Sequence, residues 1–152
     1  MVSDCVEAVV AKSAKAKDGW LFKEEPSHYS YADLEKDGQT LWDGVDNSLA
    51  RIHLRAVKTG DRVLYYETGD EKAVVGEMVV TEGPMADPGS DDPKAVVVKV
   101  KAVKRWPKAV TLAQIKQEPA FADWALVKNS RLSVMPVSAE LWKRLEAMAI
   151  DG

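Results

Sequence analysis

Apolar and polar positions change over in short blocks along this chain, and each block points to a short element. Trp20-Leu21-Phe22-Lys23 is an aromatic and apolar run that reads as a strand, stopped by Glu25-Pro26-Ser27. Ser30 with Asp33 three residues on has the spacing of a capping box and predicts a short helix through Leu34 and Glu35, closed at Asp37-Gly38. Thr40-Leu41-Trp42-Asp43-Gly44 is too short and too turn-rich to predict a regular element. Asn47 or Ser48 can cap the next helix, where Leu49, Ile52, His53 and Ala56 recur at helical spacing.

Lys58-Thr59-Gly60-Asp61 turns the chain into Arg62-Val63-Leu64-Tyr65-Tyr66, a strand by its β-branched and aromatic content. Gly69-Asp70 marks a hairpin connection to a strand over Ala73 to Thr81, in which Gly76 signals a bulge or a close backbone approach. Gly83 to Pro93 is rich in Pro, Gly and Asp and reads as a loop. Lys94 to Arg105 alternates Val and Lys, a strand with one wetter face. Thr111 with Gln114 repeats the capping-box spacing for a helix over Leu112 to Gln117, ended by Pro119. Arg131 to Pro136 is a last short strand. Ser138 caps a final helix whose Leu141, Leu145 and Met148 share a face. Strands separated by short helices, without regular βαβ alternation, predict an α+β domain built on a small mixed barrel.

Composition narrows the class. The 152 residues suit a single domain. Cys5 stands alone and cannot form an internal disulfide, which points to a reducing compartment, with the cytoplasm as the simplest expectation. No apolar run reaches the roughly 18 residues of a membrane span. Met1 to Lys17 lacks the apolar centre of a signal peptide, so residues 1–18 are expected to be a tail or short helix ahead of a domain at 19–150. The formal charge of −3 argues against a protein that grips nucleic acid by broad charge neutralisation. Nucleic-acid binding would need a local basic patch and a pocket.

Four blocks, in order, carry a resemblance. Trp20 to Pro26 is similar to the WLxKSEP opening of EVE domains. Thr40-Leu41-Trp42-Asp43-Gly44-Val45, with Asn47 and Ala50-Arg51 after it, resembles their W-D-G-V and N-x-x-A-R segments. Lys58 to Val63 resembles K-x-G-D-x-V, and Asn129 to Val137 the closing R-L-S-V-x-P-V. The resemblance implies a PUA-like mixed β-barrel of five or six strands with short helices packed outside, related to YTH and ASCH domains. It also implies a non-catalytic reader of a modified base in DNA or RNA that uses no cofactor. This chain departs from the pattern at Glu24, where Ser is usual, at Asp46 and Ser48, where Arg and Tyr are common, and at Glu67, where His is frequent.

The candidate base pocket follows from these blocks. Trp42, at a turn, can stack an extruded base for about 1–3 kcal/mol, or it can plug one end of the barrel as a core residue. Asp43 and Asn47 can read a base edge, although Asn47 serves equally well as a helix cap. Lys23, Glu24, Glu25, Tyr66 and Ser133 complete the expected set. Arg51, Arg55 and Lys58 share a helix face and form a candidate phosphate track. Lys99, Lys101, Lys104, Arg105 and Lys108, near Trp106, form a second basic region; either group can also be an ordinary solvated face. An enzyme is the alternative class, but His28 and His53 lack metal-pair spacing, Cys5 lies in the tail, and no phosphate-cradling glycine motif occurs. A protein-interaction adaptor would need an exposed apolar patch.

Overall fold

The computed structural model describes residues 17–45 and 47–151. Among the described residues, six strands and five α-helices follow one another as β1 (Lys17–Glu24), α1 (Tyr31–Asp37), β2 (Gln39–Trp42), α2 (Ser48–Ala56), β3 (Arg62–Glu67), β4 (Ala73–Ala86), β5 (Val96–Thr111), α3 (Leu112–Lys116), α4 (Ala125–Lys128), β6 (Val134–Ser138) and α5 (Ala139–Asp151), with a 3-10 turn at Pro119–Phe121. The strands form one sheet in the order β2-β5-β4-β3-β1-β6. Only β1 and β3 run parallel; every other pairing is antiparallel.

The sheet rolls up on its aromatic residues. Phe22 of β1 and Trp42 of β2 are separated by three strands in the sheet order, yet their ring centroids lie 5.3 Å apart. Tyr65 of β3 meets Trp42 edge-on at the same distance. The result is the expected α+β barrel shape, with one correction: β2 and β6 do not pair with each other, so hydrogen bonds leave the barrel open along a seam.

Local signals placed the helix starts well. Ser30 with Asp33 and Thr111 with Gln114 make reciprocal capping boxes, and the Ser138 hydroxyl accepts from the Leu141 N–H at 3.2 Å. Gly76 is a site of close approach. A Cβ there would stand 2.7 Å from the Tyr31 ring and 2.9 Å from the Lys104 carbonyl. Asp61 of the K-x-G-D block is a brace, accepting from the Trp20 indole N–H at 2.9 Å and from the Lys58 backbone N–H at 2.8 Å.

Four expectations differ from the structure. Residues 39–42 do form a strand, because β5 supplies a partner in the register Thr40↔Val100 and Trp42↔Val98. β4 continues to Ala86 beyond the expected end at Thr81, held by pairing of Met85 and Ala86 with Val97 and Val96. β5 continues through Trp106-Pro107 to Thr111. The register passes from Gly76↔Arg105 to Val74↔Val110, so Pro107 sits in a bulge where its missing N–H breaks no ladder bond. β1 begins at Lys17, ahead of the expected domain boundary at residue 19. The expectations for the tail, Cys5 and Asp46 lie outside the described residues.

Candidate functional site

A cavity of about 200 Å3 opens between β2, which forms one edge of the seam, and the turn that follows β1, lined by Glu24, His28, Tyr29, Thr40, Leu41, Trp42 and Asp43. Strand parity explains its two layers. Thr40 and Trp42 pair with Val100 and Val98, which are fully buried, so these two side chains turn toward the barrel interior. Leu41 and Asp43 fall on the outer parity. Trp42 is only 4% exposed; it rests on Phe22 and Tyr65, and it also forms part of the cavity wall. One ring therefore does the work of a core residue and lines a cavity.

The rim is acidic and carries a histidine. The turn after β1, closed by the His28 and Tyr29 backbone N–H groups donating to the Glu25 carbonyl, brings His28 Nδ1 to 2.6 Å from the Glu24 carboxylate. That hydrogen bond, then the Glu24 charge and more weakly the Asp43 charge, raises the His28 pKa above its ordinary value of 6.5. The far wall is anchored from below: the Tyr65 hydroxyl donates to the Tyr29 carbonyl. The Tyr29 hydroxyl donates to Asp37 at 2.8 Å. Burial, then that bond, pushes the Tyr29 pKa up to about 12.

Of the eight residues predicted for the pocket, the structure brings Glu24, Trp42 and Asp43 together. Lys23 and Tyr66 are register partners on β1 and β3. The Lys23 ammonium lies 5.6 Å from the Tyr66 ring centroid and donates to the Ser130 carbonyl at 3.2 Å, while the Lys23 backbone N–H bonds to the Ser133 carbonyl. Lys23 has the opposite parity to Phe22 and Glu24, so Lys23, Tyr66 and Ser133 form a separate cluster on the other face of β1. Burial lowers the Lys23 pKa. Glu25 accepts from Ser27 and Thr68 in the turn. Asn47 caps α2, accepting from the Ala50 N–H at 2.9 Å.

The α2 cations are partly committed. Arg51 donates to the Val45 carbonyl at 2.7 Å and pairs with Asp92 at 3.0 Å; Arg55 donates to the Lys94 carbonyl at 2.6 Å; Lys58, expected on the same helix face, instead lies exposed in the turn beyond the α2 cap at Val57, so the three cations do not form one helical stripe. Sequence reasoning missed His28, Tyr29, Thr40 and Leu41. The usable signal was Glu24 and His28 four residues apart across a Pro-containing turn, a spacing that brings two side chains together.

A second cavity, of about 360 Å3, lies at the β5 bulge beside the end of α5, with Lys104, Trp106, Glu146 and Ile150 among its lining residues. Here the Trp106 indole N–H donates to the buried Glu77 carboxylate at 2.7 Å, and the Lys104 ammonium stands 3.8 Å from the same carboxylate.

A rolled, seam-open sheet with helices outside is a PUA-like architecture, and an ASCH protein of Zymomonas mobilis shares the fold at 11% identity and a TM-score of 0.53, over 86% of this chain and 95% of that one. Residues 18–148 match the family model of the EVE domain. The chain belongs to the EVE family. A Rhodopseudomonas palustris protein solved by NMR is 41% identical, with a TM-score of 0.82 over 87% of this chain and 92% of that one. The human THYN1 protein, solved in complex with 5-methylcytosine-containing DNA, is 26% identical with a TM-score of 0.79, over 86% of this chain and 96% of that one. Thymocyte nuclear protein 1 of Homo sapiens is 28% identical over 155 aligned residues, 80% of this chain and 69% of that protein. These relatives correct the expectation of a cytoplasmic location, because the human, mouse and chicken proteins are named as nuclear. The expectation rested on a lone cysteine, which does not distinguish the nucleus from the cytoplasm.

Proposed function

We propose that this chain is a non-catalytic binding module that receives one modified base of a nucleic acid in the seam cavity. The carrying observation is the cavity itself, with Trp42 and Leu41 as apolar walls under a rim of two carboxylates. It opens in a chain whose human relative is solved in complex with 5-methylcytosine-containing DNA. At about 200 Å3 it is smaller than the roughly 300–1,000 Å3 of drug-sized pockets, a size suited to a single planar group. The exposed part of Trp42 would stack the base, and Leu41 would contact an apolar substituent such as a methyl group. Glu24 and Asp43, when ionised, only accept hydrogen bonds. They would therefore favour a base edge that donates, as the exocyclic amines of cytosine and adenine do.

The test is a titration of the protein against 5-methylcytidine, cytidine, thymidine and N6-methyladenosine, repeated with Asp43→Asn and Glu24→Gln. The expected result is binding of an amine-bearing modified nucleoside, weakened about tenfold or more in at least one variant. Saturable binding of none of the four, or equal affinity for thymidine, would end this reading.

A further inference from the structure

The acidic rim leaves open what attracts a phosphate backbone to a chain of net charge −3. On α2, the Arg51 guanidinium is held by Asp92 and the Val45 carbonyl, and Arg55 is tied to the Lys94 carbonyl. The strand beside the cavity differs. Leu41, which lines the cavity and is 37% exposed, is the cross-strand partner of Lys99, and Gln39 is the partner of Lys101. Val98 and Val100 point into the core. Alternation along β5 therefore sends Lys99 and Lys101 to the outer face, the face that Leu41 shares. Directly opposed side chains start about 5 Å apart, so two lysines rise beside the cavity lip within one or two residues' reach of it. Lys99 has an acidic neighbour in Glu82, but the contact is 3.9 Å and the Glu82 side chain is 61% exposed. A loose, solvated pair of this kind holds an ammonium weakly and leaves it available to a phosphate.

We infer that the outer face of β2 and β5 is the surface on which the nucleic-acid backbone lies, with Lys99 and Lys101 contacting the phosphates that flank the base held in the cavity. This rests on the seam cavity being the base site. It locates the backbone contacts on β5, away from Arg51 and Arg55 of α2 and Lys58 beyond its end. The acidic rim then has a consistent place: carboxylates face the base edge, and cations one strand away face the phosphates.

The experiment measures affinity for a duplex oligonucleotide carrying one 5-methylcytosine as a function of salt, for the parent, the Lys99→Gln/Lys101→Gln variant and an Arg55→Gln/Lys58→Gln variant. Binding of free 5-methylcytidine is measured alongside. Each duplex phosphate contact contributes about 0.9 to the slope of log K against log salt. The β5 variant should therefore show a slope shallower by about 2, with its nucleoside affinity unchanged, and the α2 variant should keep the parent slope. An unaltered slope in the β5 variant, or a loss confined to the α2 variant, overturns the inference while nucleoside binding upholds the cavity. Failure of the parent to bind either the nucleoside or the duplex removes the cavity reading and this one with it.

Discussion

Trp42 and Trp106 are buried to the same degree, each 4% exposed, each lining a cavity, Trp42 beside the carboxylates of the cavity lining and Trp106 bonded to a buried carboxylate behind it, yet the two regions are built differently. At the β5 bulge the Glu77 carboxylate is turned inward and receives the Trp106 indole N–H at 2.7 Å, with the Lys104 ammonium 3.8 Å away. The polar groups there answer one another. At the seam, Glu24 and Asp43 stand at the mouth, and the side-chain partner of Glu24 is a largely exposed histidine on a turn. The same residue types thus make a brace in one place and an open rim in the other. What separates them is whether the carboxylate is buried with its partner, as Glu77 is with Trp106, or lines an open cavity with a largely exposed one, as Glu24 does with His28.

The largest test of this contrast is truncation of each tryptophan. Both Trp42→Ala and Trp106→Ala should lose about 3–5 kcal/mol of stability in denaturant melts, since each removes a large buried ring. Only Trp42→Ala should also lose nucleoside affinity, measured below its melting temperature. If Trp106→Ala weakens binding as much, the seam is not special.

A smaller effect separates the carboxylates. Glu77→Ala strands a buried indole N–H and should cost about 1–3 kcal/mol, read from the shift in urea midpoint. Glu24→Ala removes a rim group and should stay within about 0.5 kcal/mol, with its effect appearing in ligand affinity instead. Equal destabilisation by the two would make Glu24 a structural residue.

The smallest effect is a pH dependence. The folded-state pKa of His28 is raised by Glu24 and Asp43, so its favourable pairing is fully present below the unfolded value of about 6.5 and is lost as pH rises through the higher folded value. Over that range the rim also becomes more negative, and affinity for the 5-methylcytosine duplex should fall. His28→Ala should flatten both trends between pH 6 and 8. A parent whose affinity is constant across that window would show that the pair does not face the ligand.

The amino-acid sequence by itself determined the pieces whose causes are local. Ser30, Asn47, Thr111 and Ser138 start helices because their side-chain oxygens accept from a backbone N–H three residues on. The four motif blocks marked the family and placed Trp42, Asp43 and Glu24 among the candidates. Only the tertiary structure decided the rest. Residues 39–42 became a strand because β5 offered them a ladder, and no short-range signal carries that. The expected pocket set split in two because side chains alternate across a strand: Glu24 turns to the seam, while its neighbour Lys23 turns to Tyr66 and Ser130 on the far face of β1. His28, Tyr29, Thr40 and Leu41 reached the cavity only when the sheet rolled and carried β2 against β1, three strands away. A cavity at a seam belongs to two chain segments that are neighbours only after the core has packed, so its full lining is set by the packing of Phe22, Trp42 and Tyr65 as much as by the residues that line it.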